Sequence, residues 1–100
     1  MARLERDFQP KLIKELYKMF GKDECVIFKT DPKYIQGFPD LMILYRDRWA
    51  ALECKREEDA TKQANQPYWV EFLNCLSFAS FIFPENKEDV LYELQQALQS

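Results

Sequence analysis

The sequence GFPDLMILYR at residues 37–46, followed by WAALECK at residues 49–55, decides how this chain folds. Both stretches are rich in the apolar residues that favour strands, and the Asp47-Arg48 pair between them predicts a hairpin turn. Antiparallel pairing about that turn brings the start of the first strand beside the end of the second. The two stretches therefore predict a β-hairpin with its polar ends side by side.

Polar residues stand at the two neighbouring ends of this hairpin. Asp40 begins the first strand, and Glu53, Cys54 and Lys55 end the second. Because side chains alternate faces along a strand, Glu53 and Lys55 emerge on one side while Cys54 points to the other. Two carboxylates and an ammonium converge, an arrangement typical of a metal pocket with a cation beside it.

The composition predicts one globular domain that spans residues 1–100. Hydrophobic residues make up 47% of the chain, enough for a core. No apolar run approaches the roughly 20 residues that a membrane helix needs, and the first residues do not resemble a signal peptide. We therefore expect an intracellular, cytoplasmic protein without a membrane partner. With three scattered cysteines and no histidine, a disulfide framework or a zinc site is not indicated.

The net charge of −3 does not exclude a nucleic-acid partner, because the charge is unevenly distributed. Residues 1–62 carry 13 Lys and Arg against 12 Asp and Glu, a balance of +1, and residues 63–100 carry one Lys against five acids, a balance of −4. Carboxylates that hold a divalent cation no longer repel phosphate. A DNA-binding face in the first part of the chain is compatible with these numbers.

The hydrophobic pattern predicts an α/β fold of element order α-β-β-β-α-β-α, with a mixed four-stranded sheet flanked by helices. Pro10 suggests that the first regular helix starts near Asp7 and leaves Glu5 just before or at its entrance. Asn86 is predicted to cap the last helix. The fourth strand follows the third through a helix, so the two should be parallel. Helix and strand patterns cover residues 7–20, 24–30, 39–46 and 49–55. A helix then starts at Asn65-Gln66-Pro67 and runs to about Ser77, followed by a strand at 79–83 and a last helix that starts with Asn86.

The oxygen ligands at the hairpin ends suit a hard cation. Mg²⁺ takes a near-octahedral shell of oxygen ligands and retains waters, so a few carboxylates such as Asp40 and Glu53 are sufficient to hold it. The backbone carbonyl of Cys54 is expected near the same ion. Lys55 adds a fixed positive charge. Its expected role is therefore to stabilise charge or orient a water rather than to act as a general base.

These residues resemble a known family. Gly37-x-Pro39-Asp40, twelve intervening residues and Glu53-Cys54-Lys55 resemble the PD-(D/E)XK nuclease superfamily, and the element order is similar to its restriction-endonuclease-like core. The closer resemblance is to the virus-type replication-repair nuclease (VRR-NUC) domains of phages. Those domains also carry a Glu and a Gln at the first helix and a Gln three residues before an aromatic residue. Here the corresponding residues are Glu5, Gln9, Gln66 and Trp69.

The resemblance implies a metal-dependent deoxyribonuclease of a phage in a bacterial host. Asp40, Glu53 and Glu5 would bind Mg²⁺ or Mn²⁺, Lys55 would orient water or neutralise charge, and Gln66 would contact phosphate or water. Stand-alone members look like homodimers that resolve branched DNA such as Holliday junctions. Paired nicks across a junction require two active sites.

The sequence leaves alternatives for several residues and for the function. Glu15 competes with Glu5 as the carboxylate of the first helix, and Gln63 competes with Gln66. Gly37 is either a turn glycine or a point where a ligand approaches the backbone. Candidate phosphate contacts are Lys29, Lys33, Arg46, Arg48, Arg56 and Lys62. The competing functions are a nuclease on linear or flapped DNA and a non-catalytic DNA-binding subunit.

Overall fold

The computed structural model describes residues 3–31, 33–55 and 66–100, with side chains from residue 8 onward. The described part of the chain forms three helices and four strands in the predicted order α-β-β-β-α-β-α. Their bounds are α1 Arg3–Phe20, β1 Cys25–Lys29, β2 Leu41–Tyr45, β3 Arg48–Cys54, α2 Gln66–Leu76, β4 Phe78–Ile82 and α3 Lys87–Gln99. The fold class predicted from the hydrophobic pattern is thus confirmed at the level of α/β architecture.

The four strands lie in one mixed sheet in the order β1-β2-β3-β4. β1, β2 and β3 form an antiparallel meander in which Leu41 pairs with Leu52. β4 pairs with β3 in parallel, with Ala50 opposite Phe78. The connection through α2 makes this parallel pairing possible, as the sequence predicted, because parallel neighbours need a crossover.

Helices cover both faces of the sheet. α1 and α3 enclose the larger core, in which Leu16, Leu52 and Leu94 are fully buried. α2 packs on the opposite face through Val70 and Leu73. Successive side chains of β3 point to opposite faces of the sheet, so Ala50 and Leu52 pack toward α1 and α3 while Ala51 packs toward α2. No helix in the three described ranges is long and apolar enough to cross a membrane.

The hairpin turn lies one residue earlier than the sequence predicted. Tyr45 pairs with Arg48, so the turn consists of Arg46 and Asp47 and not of Asp47 and Arg48. Arg46 has a φ of 54°, and its N–H donates to the Glu24 carbonyl at 3.2 Å while its guanidinium pairs with the Glu24 carboxylate. Arg48 belongs to β3, and its guanidinium donates to the Ser100 carbonyl at 2.6 Å and the Ala97 carbonyl at 3.2 Å. These contacts to Glu24 and α3 hold the observed register.

The first helix begins earlier than expected. α1 starts at Arg3 and continues through Pro10, so Glu5 lies within the helix and not before it. A proline inside a helix removes one hydrogen bond and crowds the preceding turn, at a cost of about 3 kcal/mol. Here Pro10 is exposed, while Phe8 and Leu12 on either side of it pack against the larger core. Burial of that apolar stripe explains why the helix continues through the proline.

Asn86 is the N-cap residue of α3, but its side chain makes no capping hydrogen bond to the helix. Its Oδ1 instead accepts from the Phe83 N–H at 2.8 Å, and its Nδ2 donates to the Phe81 carbonyl at 3.2 Å. The predicted side-chain cap is therefore wrong. The asparagine stabilises the turn between β4 and α3, because a local backbone partner competes with the helix for the same side chain.

Candidate functional site

Asp40 and Glu53 lie opposite each other at one end of the β2–β3 hairpin. Leu41 pairs with Leu52, and continuing the antiparallel register by one residue places Asp40 opposite Glu53. Met42 and Ala51, each two residues farther along, pack in the core on the α2 side, so both carboxylates belong to that face. Directly opposite residues in an antiparallel pair have Cβ atoms about 4.5–5.5 Å apart. The convergence predicted from the sequence is present.

Backbone hydrogen bonds on both sides hold Asp40 in place. Its Oδ2 accepts from the Cys54 N–H at 2.9 Å, which ties it to β3. Its carbonyl accepts from the Thr30 N–H at 2.8 Å, and the Thr30 hydroxyl donates to the Pro39 carbonyl at 2.6 Å. The half-buried Asp40 is therefore fixed between the ends of two neighbouring strands.

The backbone carbonyl of Cys54 points toward the Asp40 side of β3. The N–H of Lys55 donates to the Ile82 carbonyl at 2.8 Å, on the β4 side. In a trans peptide the C=O points away from the N–H of the same peptide unit, so the Cys54 oxygen points to the β2 side. Two carboxylates and one carbonyl thus meet at this end of the hairpin, as predicted.

Gln66 bridges the acid and the lysine at the end of β3. Its Oε1 accepts from the Lys55 ammonium at 2.6 Å, and its Nε2 donates to Glu53 Oε2 at 2.5 Å. All three side chains are buried, with exposed fractions of 3% for Glu53, 7% for Lys55 and 8% for Gln66. An uncharged amide has both the acceptor that the ammonium needs and the donor that the carboxylate needs. Gln66 is the first residue of α2, so the crossover helix delivers this bridge.

The lysine also contacts an aromatic ring. The Lys55 ammonium lies 5.8 Å from the centroid of the Phe81 ring on β4, within the range of a cation–π interaction. Phe81 pairs with Glu53 in the parallel register. No local sequence motif marks Phe81 or Thr30. Their places at the site follow from the pairing of β3 with β4 and of β1 with β2.

The donor set fits a hard divalent cation. The carboxylates of Asp40 and Glu53 and the Cys54 carbonyl supply oxygen atoms, which suit Mg²⁺ or Mn²⁺ better than zinc. In the described residues no three His, Cys, Asp or Glu side chains form a metal-binding group. A cation there would therefore depend on waters, substrate oxygens or a carboxylate outside that part of the chain for its remaining ligands.

The two candidate glutamates of α1 differ in what the structure describes. The backbone of Glu5 lies in the first turns of α1, and its side chain is outside the described residues. Glu15 forms an ion pair with Lys87 of α3 at 3.0 Å. That partner belongs to the helix pair on the face of the sheet opposite α2, so the Glu15 carboxylate is engaged away from Asp40 and Glu53.

The predicted phosphate contacts are only partly described. Lys29 ends β1, Lys33 lies in the following loop, and both are exposed. Gly37 is buried with a φ of 83°, a conformation that favours glycine, so its role as a turn glycine is established. Arg56, Lys62 and Gln63 lie outside the described residues.

No protein-family model, curated protein or solved structure matches this chain.

Proposed function

We propose that this chain is a metal-dependent endonuclease that hydrolyses phosphodiester bonds in DNA. The observation that carries the proposal is the convergence of Asp40, Glu53, Lys55 and Gln66 at one end of the sheet. Glu53 and Lys55 are buried and joined through the Gln66 amide, and Asp40 lies opposite Glu53, so this is more than an exposed strand end decorated with charges. The resemblance of the same residues to the VRR-NUC family, and of the α/β order to a restriction-endonuclease-like core, supports the same conclusion.

Each residue has a role that its contacts allow. Asp40, Glu53 and the Cys54 carbonyl would hold the cation, with Glu5 as the proposed further carboxylate. A bound Mg²⁺ or Mn²⁺ supplies Lewis-acid stabilisation of charge on a phosphate. Lys55 brings a positive charge to the same place and orients an attacking water or neutralises charge that develops on the phosphate. Gln66 positions Lys55 against Glu53. Because Gln66 is the first residue of α2, the positive end of the helix dipole also lies there and favours binding of a DNA phosphate.

The substrate we propose is branched DNA, cleaved by a homodimer. The motif resemblance to the VRR-NUC family, whose members include homodimeric resolvases of branched DNA, motivates this choice. Two copies supply the two active sites that paired incision needs. The alternatives are cleavage of linear or flapped DNA and binding without cleavage.

The deciding experiment incubates the purified protein with Mg²⁺ and end-labelled four-way junction, flap and linear duplex. Asp40→Asn and Lys55→Met remove the metal-binding charge and the ammonium, and Asp47→Asn in the exposed hairpin turn is the matched control. We expect cleavage by the parent and by Asp47→Asn, and none by the other two variants or in EDTA. Cleavage by Asp40→Asn at the parental rate, or intact substrates throughout, would reject the nuclease. Equal cleavage of junction and duplex would reject only the preference for branches.

A further inference from the structure

An open cavity of about 450 Å³ lies beside the candidate site on the same face of the sheet. Its walls include the aromatic rings of Phe28, Tyr34 and Phe38, and Met42 and Lys29 also line it. Its volume falls in the range of about 300–1,000 Å³ in which proteins bind small ligands. The catalytic roles proposed above make no use of this cavity.

The cavity is structurally preformed. The Tyr34 N–H donates to the Asp31 carbonyl at 3.1 Å, and the Lys33 N–H donates to Asp31 Oδ1 at 2.9 Å, so a tight turn fixes the start of the loop. At the other end, Phe38 packs edge-on against Trp69 of α2, with ring centroids 5.4 Å apart. The loop that carries two of the aromatic walls is therefore anchored at both ends.

Aromatic rings at this cavity face solvent. Tyr34 is 85% exposed and Phe28 is 44% exposed. Large apolar side chains clustered at an open cavity mark binding sites more often than single exposed residues do. Flat rings with exposed faces suit a flat aromatic ligand, and every nucleobase has such a face.

The cavity adjoins the place where the proposed nuclease holds a phosphate. Thr30, which lines the cavity, bonds to the backbone of Asp40, and Met42 of the cavity lies two residues beyond Asp40 on the same strand face. That separation is about 7 Å along a strand, which is within the reach of one nucleotide. The exposed Lys29 and Lys33 provide positive charge for a phosphate backbone.

We propose that this cavity binds an unpaired base of a DNA strand whose neighbouring phosphate lies at Asp40. The proposal rests on the proposed nuclease function and deepens it, because it names the substrate class as DNA with an unpaired nucleotide at the cleavage site. Flaps, gaps and locally opened junctions meet that condition. A fully stacked duplex does not, because its bases are not available to the Tyr34 and Phe28 rings.

The test measures binding without cleavage. A fluorescently labelled single-stranded oligothymidine, the same strand with abasic positions, and a duplex of the same length are titrated with protein in EDTA. Tyr34→Ala and Phe28→Ala remove aromatic walls, and Tyr34→Phe keeps the ring. Tyr92→Ala is the matched control, because Tyr92 is 65% exposed but lies on α3, across the sheet.

We expect the parent to bind the single strand more tightly than the duplex or the abasic strand. Tyr34→Ala and Phe28→Ala should each lose between about fivefold and 150-fold in affinity, the effect of one lost base stack. Tyr34→Phe and Tyr92→Ala should bind like the parent. Equal affinity of Tyr34→Ala and the parent would overturn the proposal, and so would equal affinity for the abasic strand.

The same variants separate this proposal from its competitors. If Tyr34→Ala alters sedimentation of the free protein but not oligonucleotide binding, the surface joins copies of this chain and the base site is rejected. If Asp40→Asn cleaves as well as the parent while Tyr34→Ala still loses binding to the single strand, the nuclease fails and the base site stands. If Asp40→Asn cleaves as well as the parent and Tyr34→Ala also binds the single strand as well as the parent, both proposals are rejected.

Discussion

The Asp40 carboxylate accepts a hydrogen bond from the backbone N–H of Cys54 at 2.9 Å, across the two strands that end at the candidate site. This contact orients Asp40 toward the end of β3 through the fold itself, before a ligand arrives. Preorganised groups do not spend binding energy on ordering themselves. The same hydrogen bond also means that substitutions of Asp40 affect stability as well as activity.

Asp40→Asn and Asp40→Ala should separate these two effects. The asparagine oxygen still accepts from the Cys54 N–H, so the free energy of unfolding should fall by less than about 1 kcal/mol, whereas alanine leaves that donor without its side-chain acceptor and should cost about 1–3 kcal/mol. Both variants should lose cleavage by about 100-fold or more, because both remove the metal-binding charge. Urea unfolding and a junction-cleavage assay measure the two quantities. Equal stability of the two variants would contradict the structural role of the Asp40 side chain.

Gln66→Leu should destabilise the protein although the side chain keeps nearly the same size. It removes the acceptor of the Lys55 ammonium and the donor to Glu53, and hydrogen bonds to charged groups contribute about 1.5–3 kcal/mol each. Because Lys55 and Glu53 can then approach each other, we expect a net loss of about 2 kcal/mol. Gln96→Leu, on the exposed side of α3, is the control and should change stability by less than about 0.5 kcal/mol. Matching denaturation curves for the two variants would show that the bridge contributes nothing.

Arg48→Ala should weaken the attachment of α3 to the sheet. The guanidinium donates to three carbonyls in the last turn and at the end of this helix, those of Ala97, Leu98 and Ser100. Exposure limits the loss to about 1 kcal/mol. Arg48→Lys keeps the charge near the helix C-terminus but not the planar fork, so its loss should be smaller. Hydrogen exchange of the α3 amides provides the measurement, and unchanged protection in Arg48→Ala would contradict the contact.

Cys25 should make the protein less stable at alkaline pH. Burial, followed by the nearby Glu24 carboxylate, raises the pKa of the Cys25 thiol above its ordinary value of 9.0. The folded state therefore keeps a proton that the unfolded state releases, so this contribution to stability is full below the ordinary pKa and is lost as pH rises above it. Urea unfolding of the parent and of Cys25→Ala at about pH 7 and pH 10 tests this. The decrease between the two pH values should be smaller in Cys25→Ala, and an equal decrease would refute the assignment to Cys25.

The parts of the fold predicted from the sequence are those in which local pattern and tertiary packing agree. Alternation along β3 placed Leu52 and Glu53 on their correct faces, because a period of two follows from strand geometry alone. The hairpin turn was misplaced by one residue because Arg46 is held by Glu24, 22 residues earlier in the chain. The start of α1 was predicted too late for a similar reason. The packing of Phe8 on the core outweighs the local cost of Pro10 within the helix.

In the candidate site, too, the sequence predicted the residues whose positions depend on local pattern. Asp40, Glu53 and Lys55 were found from their spacing, since all three belong to one hairpin. Gln66 was identified by resemblance, and its two hydrogen bonds depend on where α2 docks. Thr30 and Phe81 were missed because only strand pairing brings them to the site.

The sheet topology also sets the order in which the site is assembled during folding. Asp40 and Cys54 are 14 residues apart within one hairpin, whereas β4 joins β3 only across the crossover, where Ala50 pairs with Phe78. Contacts between near neighbours in the chain form with less loss of entropy than distant ones. We expect pulse-labelled hydrogen exchange to protect the β2–β3 amides before those of β4. Asp40 and Glu53 would then come together first. Gln66, whose amide joins Glu53 to Lys55, would reach the site only when α2 docks.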